Sequence, residues 1–432
     1  MACKQGGGFV AKEAVLHDIA EQEERVILVA VDADNSDEDT EKCLDELEEL
    51  AKTAGAVTVG RVIQKRERVS AGFYVGSGKL DEIKTMINAF DATGIICDDE
   101  LTPAQMRNME KILQTKIMDR TMLILDIFAS RAVSREGKIQ VELAQLKYRL
   151  SRLTGMGTSL SRLGGGIGTR GPGEKKLETD RRHIKERIHE LKCDLEEIRT
   201  HRSLLRTQRS KSGKPVISLV GYTNAGKSTI LNSLTDAGVL EEDKLFATLD
   251  TTTRNVQLPG GSNVYLTDTV GFIQKLSHHL VEAFKATLEE LKFADILLHV
   301  VDASDENRQK HMDVVYSTLK DLGCADKPVI TVFNKMDKEV EMPLPQDRIC
   351  TGRVDICAKE QKSLERLLDT IETVLKSFRS PMKVLIPYTE GHLLSVIHGK
   401  CEILSEEHTE KGTLIEAYMN EEAASRLERY KV

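Results

Sequence analysis

"KPVISLVGYTNAGKSTILNSL", residues 214–234, joins a short apolar run, "VISLV", to a helix-forming run, "STILNSL", through a segment that fits G-x-x-x-x-G-K-S. In that strand-loop-helix context the backbone N–H groups of Gly221, Tyr222, Thr223, Asn224, Ala225 and Gly226 wrap phosphates. Lys227 reaches the β and γ oxygens, the Ser228 hydroxyl binds magnesium, and Thr229 is the next residue of the same site. A loop of this kind requires a sheet behind it, and the following text supplies one. "NVYLTDTVGF", "DILLHVVDA" and "PVITVFNKMD" alternate with helical segments and end in the helix "SLERLLDTIETVLKSF". This rhythm predicts an α/β domain over residues 213–380 with a mainly parallel, mixed sheet.

Three further segments fall in the order that a nucleotide site needs. Asp268 closes the strand "VYLT" and opens "DTVG", where Asp268, Thr269 and Val270 lead to Gly271. A carboxylate there holds magnesium through water, and the Gly271 N–H reaches the γ-phosphate. "NKMD", Asn334, Lys335, Met336 and Asp337, follows the apolar strand "PVITVF". An ionised Asp only accepts hydrogen bonds, so Asp337 takes both the N1–H and the N2–H₂ of guanine, a donor pair adenine lacks. Lys335 lies over the base, and "CAK", Cys357, Ala358 and Lys359, offers backbone N–H to guanine O6. Between the phosphate loop and Asp268 stands "FATLDTTTR", with Phe246, Ala247, Thr248, Leu249 and Asp250. A threonine there completes the magnesium shell while the γ-phosphate is present, and Thr248 and Thr252 both qualify.

Upstream, from Arg25, "RVILVAVDA", "DEDTEKCLDELEELAKTAG", "AVTVGRVIQ", "TGIICDDE", "PAQMRNMEKIL" and "TKIMDR" again alternate strand with helix, so residues 1–139 read as a smaller α/β domain. Residues 140–212 carry no strand pattern. Leu143, Leu146, Leu150 and Leu153 form one apolar stripe, and Ile184, Ile188, Leu191, Leu195 and Ile198 form another. Two such seams predict an antiparallel helical hairpin, with packing of the long helix on a domain as the alternative. Past Pro381, "MKVLIPY", "EGHLLSVIHG", "CEILSEEHT", "GTLIEAYM" and "EEAASRLERY" read β-α-β-β-α, a small α+β domain over 381–432.

"SRLGGGIGTRGPGE", residues 161–174, matches the G-x-G-x-x-G spacing of dinucleotide loops through Gly166, Gly168 and Gly171. That fingerprint needs a strand before the glycines and a helix opening directly after them, whereas the preceding text is a helical stripe. The block reads instead as the hairpin tip. From Leu143 to Gly173 there is no acidic residue, while Lys147, Arg149, Arg152, Arg162 and Arg170 are basic. With Gly164, Gly165 and Gly166 these residues form a candidate RNA contact, since glycine lets backbone approach phosphate and ribose closely. The bland alternative is a flexible loop with solvated arginines. "YVGSGKL", residues 74–80, lacks the spacing of a second phosphate loop and reads as a turn before a helix. His278 and His279 lack a third ligand for a metal.

Bulk properties fit an ordinary soluble globular chain of about three domains. The chain has 432 residues, 40% hydrophobic and 30% charged, with a net charge of -8, which excludes a uniformly basic nucleic-acid binder but not a local patch. Its eight cysteines form no C-x-x-C pair, so reduced thiols are expected. Neither a signal-peptide core nor an apolar run long enough for a membrane span is present. A cytoplasmic, monomeric protein is expected.

Taken together, "GYTNAGKST", "FATLD", "DTVGFI", "HLVEAFKATLEE", "LLHVVDAS" and "NKMD", with "QVELAQLKYRLSRL" and "LSRLGGGIGTRGPGEKKLETDRR" upstream, resemble the HflX GTPases of the translation-factor-related class. The resemblance runs from about Arg25 to the end of the chain. It implies GTP bound with magnesium on Ser228 and Thr248, and association with the large ribosomal subunit and its RNA in ribosome splitting or assembly. Lys227, Asn224 and Gly271 are the expected catalytic residues, with potassium on Asn224 as a further candidate cation. The chain departs from the family pattern at Thr251 (for proline), Lys175 (for threonine) and Cys357 (for serine). Phe272 stands where Ras-type enzymes place a glutamine that orients water, so catalytic help must come from elsewhere, and weak intrinsic hydrolysis raised by ribosomal subunits is expected. The alternative is an RNA-binding scaffold in which GTP sets conformation without functional turnover.

Overall fold

A computed structural model describes residues 23–33, 39–153, 172–210, 214–235, 245–246, 249, 251–275, 280, 288–340, 342–378, 381–418 and 426–432. The first sheet uses β1 (Glu24–Ala33), β2 (Ala56–Arg66), β3 (Gly94–Cys97) and β4 (Lys116–Asp119), all parallel, in the order β2-β1-β3-β4. The helices α1 (Thr40–Thr53), α2 (Ser77–Phe90), α3 (Pro103–Leu113) and α4 (Arg120–Arg131) connect or follow these strands. Parallel strands covered on both faces read as unbroken apolar runs, and Val26 to Ala30 in β1 are accordingly all buried. The α3 start shows how local sequence sets a boundary. Pro103 enters at the first turn, and Thr102 and Gln105 form a reciprocal capping box. The helix α4 follows β4 without an intervening loop and was not expected from the sequence pattern.

An antiparallel pair of helices follows the first sheet. Its first helix, α5 (Arg135–Leu153), begins inside the span assigned to the first domain, and its second, α6 (Pro172–Ser210), has 39 residues. Arg187 bonds Glu142 and Arg202 pairs with Glu136, so rising numbers on α6 meet falling numbers on α5, which is the antiparallel sense. Ile139, Leu143 and Leu146 pack on Leu191, Leu195 and Ile198. Leu150 and Leu153 take no part in that cluster. The opposite face of α5, with Val141, Ala144 and Tyr148, is buried in the first domain. The helix α5 therefore packs on α6 by one face and on the first domain by the other.

The second sheet has the order β10-β9-β8-β5-β7-β6. It comprises β5 (Val216–Gly221), β6 (Thr252–Gln257), β7 (Asn263–Asp268), β8 (Ile296–Asp302), β9 (Val329–Asn334) and β10 (Gly352–Asp355). Only the β6 edge is antiparallel. Its helices are α7 (Lys227–Leu234), α8 (Arg308–Asp321) and α9 (Gln361–Phe378). A small antiparallel sheet ends the chain: β11 (Pro381–Ile386), β12 (Glu402–Thr409) and β13 (Gly412–Tyr418) in the order β11-β13-β12, with α10 (His392–Lys400). One apolar cluster runs from Leu44, Leu47 and Phe128 of the first domain into Tyr222, Phe246, Phe272 and Leu291 of the second. The two α/β domains thus share a continuous core.

Candidate functional site

The phosphate loop leaves β5 through two glycines that no other residue could replace. Gly221 has φ +153°, and a Cβ there would lie 2.2 Å from the Val300 carbonyl oxygen. Gly226 has φ +94°, and a Cβ there would lie 2.2 Å from Asn334 Nδ2. Asn224 adopts φ 60°, so the loop curls back over the start of α7. Lys227 is buried and donates to the carbonyls of Gly221 (3.1 Å) and Tyr222 (2.7 Å). Burial lowers its pKa to about 8, with Asp268 opposing the shift and Lys335 adding to it. A lysine held this way gains most from an anion brought alongside it.

Ser228 Oγ donates to Asp268 Oδ2 at 2.7 Å. The strand β7 ends at Asp268, which is fully buried, and Thr269 Oγ1 donates to the Leu219 carbonyl, fixing the turn that follows. Gly271 lies against the phosphate loop, since a Cβ there would meet Thr223 Cγ2 at 2.7 Å and Lys227 Nζ at 3.1 Å. Two backbone bonds tie the segments together: Thr223 N–H donates to the Phe272 carbonyl (2.8 Å) and Phe272 N–H to the Gly221 carbonyl (3.1 Å). The Phe272 ring is 2% exposed and belongs to the shared core.

Asn334 joins the phosphate end of the site to the base end. Its Nδ2 donates to the Ala225 carbonyl (3.0 Å), and its Oδ1 accepts from Ala358 N–H (3.0 Å). Met336 N–H donates to the Ile356 carbonyl, which holds "NKMD" against "CAK". Lys335, at φ 63°, pairs with Asp302 at 2.7 Å. Asp337 is exposed, and a hydrogen bond from the Cys357 thiol leads the causes that lower its pKa. The carboxylate is ionised and open to the solvent side, as base recognition needs.

Two residues of the expected set have their side chains on the first domain. Phe246, at φ 57°, is 2% exposed and its ring meets Phe128 edge-on at 4.8 Å. Arg152 is not a free RNA contact. It pairs with buried Asp119, donates to the Leu101 carbonyl (3.1 Å) and lies over the Tyr148 ring. Asp119 also accepts from the Leu101 and Met122 N–H groups and the Tyr148 hydroxyl, so Arg152 is one member of a buried network and not a solvated cation. Arg149 is exposed and Lys147 half-buried. Ala247, Thr248, Asp250, Arg162, Gly164, Gly165, Gly166, Arg170, His278 and His279 lie outside the described residues. Thr252 opens β6.

A group that sequence reading missed joins the two domains beside this site. Tyr222 OH donates to Glu46 on α1 (2.9 Å) and accepts from Gln274 N–H, and its ring stacks on His311. Burial, then the Glu46 charge, pushes the Tyr222 pKa well up, so the phenol stays protonated. Buried Arg120 pairs with Glu46 (3.0 Å) and with Asp98 (2.7 Å). Lys275, just past the "DTVG" turn, pairs with Asp98 (2.6 Å) and Asp99 (3.0 Å). The signal in sequence was a charged residue directly after each apolar strand, "GIICDD" and "KIMDR". A cleft of about 630 Å³ opens alongside, bounded in part by Glu46, Tyr222, Asn224, Lys275 and His311.

Comparison with known proteins assigns the chain. Residues 41–129 match the model described as GTP-binding GTPase N-terminal, 131–209 the GTP-binding GTPase middle region, and 216–335 the 50S ribosome-binding GTPase. The GTPase HflX of Lacrimispora saccharolytica is 57% identical over 407 residues, covering 94% of this chain and 96% of that protein. The chain belongs to the HflX family of GTPases. The GTPase HflX of Escherichia coli is 41% identical over 355 residues, covering 82% of this chain and 83% of its own length. Among solved structures, a GTP-binding protein from Sulfolobus solfataricus in complex with GDP aligns with a TM-score of 0.43 and 25% identity, over 82% of this chain and 99% of that one. The matched HflX segments span the first sheet, the hairpin and the nucleotide site alike.

Proposed function

We propose that this HflX family member hydrolyses GTP to GDP and phosphate on the large ribosomal subunit, and that it uses the nucleotide cycle to remodel that subunit, in splitting or assembly. Asn334 carries the reading. One side chain bonds the phosphate loop and the Ala358 loop together, so the base and phosphate halves of the site form one rigid cradle. Ribosome binding is supported by the match of residues 216–335 to a 50S ribosome-binding family.

Lys227 holds the β and γ oxygens, and the Gly271 N–H faces the γ-phosphate. Ser228 Oγ touching the Asp268 carboxylate is a hard-oxygen donor pair that fits magnesium, with Thr248 as the switch ligand and Asp268 acting through water. When bound, the ion neutralises charge on the bridging oxygens. Asn224 is the residue to hold potassium. Lys147, Arg149 and the basic glycine tip with Arg162 and Arg170 contact ribosomal RNA, and the protein works in the cytoplasm as a monomer.

Sedimentation of ribosomes with the protein plus GTP, GDP or a non-hydrolysable analogue tests this. Cosedimentation with the large subunit is expected with GTP or the analogue, weakening steeply as salt rises. Equal binding in all three nucleotide states, or none, would overturn it.

A further inference from the structure

Resting on the GTPase reading above, in which Lys335 lies over the guanine base, the question is what holds so long and flexible a side chain in place. The exit of the neighbouring strand supplies the means. Asp302 ends β8 and sits directly opposite Asn334, the last residue of β9. Its Oδ2 takes the Lys335 ammonium at 2.7 Å, while its Oδ1 accepts from the Ser304 N–H (3.0 Å) and the Ser304 hydroxyl (2.6 Å). Both carboxylate oxygens are thus engaged, and the side chains of the pair are only 18% and 20% exposed. The two strand exits are also tied through backbone, since Ala303 N–H donates to the Asn334 carbonyl at 2.9 Å. Behind the turn stands Arg308, which is buried. Its guanidinium donates to the carbonyls of Ala303 (3.1 Å) and Asp305 (3.0 Å) on one side and of Met342 (2.6 Å) and Pro343 (3.2 Å) on the other. The Asp302 carboxylate therefore stands on a turn that is anchored without any nucleotide.

We propose that Asp302 is a positioning residue for the guanine nucleotide: it tethers the Lys335 ammonium, so that the lysine stem is held as a fixed apolar ledge for the face of the purine. A free lysine is among the side chains with most rotamer freedom to lose on ordering. A stem ordered before the ligand arrives leaves that cost out of binding. Asp302 acts through Lys335 alone, so its effect falls on affinity and residence time. The choice of guanine over adenine stays with Asp337, whose carboxylate is separately held by the Cys357 thiol.

The test is the rate at which the full chain, with magnesium present, releases a fluorescent GDP analogue into an excess of unlabelled GDP. Wild type, Asp302→Asn, Lys335→Met and the double variant are compared. Asp302→Asn keeps the shape of the side chain and removes its charge. Each single variant is expected to release GDP about tenfold faster than wild type, with the GDP-over-ADP preference unchanged. On the Lys335→Met background, Asp302→Asn should change the rate by less than about twofold, because the tether has nothing left to hold. Ser304→Ala, which frees one carboxylate oxygen and keeps the charge, should speed release by about threefold. A wild-type release rate in Asp302→Asn would overturn the proposal. So would an undiminished tenfold acceleration on the Lys335→Met background, since Asp302 would then act on the fold of the turn and not through the lysine. If Asp302→Asn does not fold, Ser304→Ala decides, a wild-type release rate being the overturning result. A wild type that holds no GDP would instead refute the GTPase reading, and this inference with it.

Discussion

Both large domains are wholly or mainly parallel sheets flanked by helices, and in both the chemistry lies at the carboxyl ends of the parallel strands, where such folds place their ligands. The contrast is in what those ends hold. In the second domain the exits of β5, β7 and β9 carry the phosphate loop, Asp268 and Asn334 around a site built for an anion and a purine. In the first, the exits of β3 and β4 carry Asp98, Asp99 and Arg120, and the cation received there is Lys275, from the neighbouring domain's own switch segment. The same architecture serves as a small-molecule site in one half and as a socket for protein in the other.

The largest effect expected from breaking this pairing is at Arg120. Arg120→Met leaves Asp98 and Glu46 short of their buried counter-charge and should lower stability by about 3–5 kcal/mol in chemical denaturation. An unchanged midpoint would mean that the charges are solvated in solution. Next comes the other carboxyl end, where Asp337→Asn should reduce the preference for GDP over ADP by about a hundredfold, or about 2.7 kcal/mol, in direct binding measurements.

Lys275→Met, at a half-buried pair, should lower stability by about 1–2 kcal/mol and raise amide exchange around Asp98–Leu101. No change in exchange would show that the socket does not depend on its lysine. The pH response sharpens the contrast further. Lys227 has its pKa lowered to about 8, so the folded, nucleotide-free protein binds fewer protons than the unfolded chain between about pH 8 and 10.5, and its stability rises with pH across that window. GDP, which favours the charged lysine, should bind about tenfold more weakly at pH 9 than at pH 7, with proton uptake detected by calorimetry in two buffers. Smallest of all is the exposed Arg187 pair with Glu142 on the hairpin, where Arg187→Ala should leave the melting temperature unchanged within error.

Legibility in the sequence follows the same division. Motif residues of the nucleotide site are close in sequence to the strand ends that position them, so "GYTNAGKS", "DTVG" and "NKMD" could be read with their roles. The first domain's socket could not, because Arg120, Asp98, Glu46 and Lys275 come from four separate segments and each alone looks like a solvated surface charge. Arg152 failed for a related reason. A run of basic residues looks uniform in sequence, but helical geometry turned this one toward Asp119 and left Arg149 outside. Phe246 was placed at the nucleotide by its position in the switch segment, and the contact of its ring with Phe128 of the neighbouring domain was not legible from that position.

Arg202 links the hairpin mechanically to the second domain. Near the base of the hairpin it grips Glu136 on α5 and Glu290, in the short turn that follows the switch region. From Arg202 to its far end at Pro172 the helix α6 extends about 45 Å at 1.5 Å per residue, so a tilt of only about 5° at that grip would sweep that end through about 4 Å. A rearrangement of a fraction of an ångström at the phosphates could in this way be geared into a displacement as large as a nucleobase at the far end of the arm.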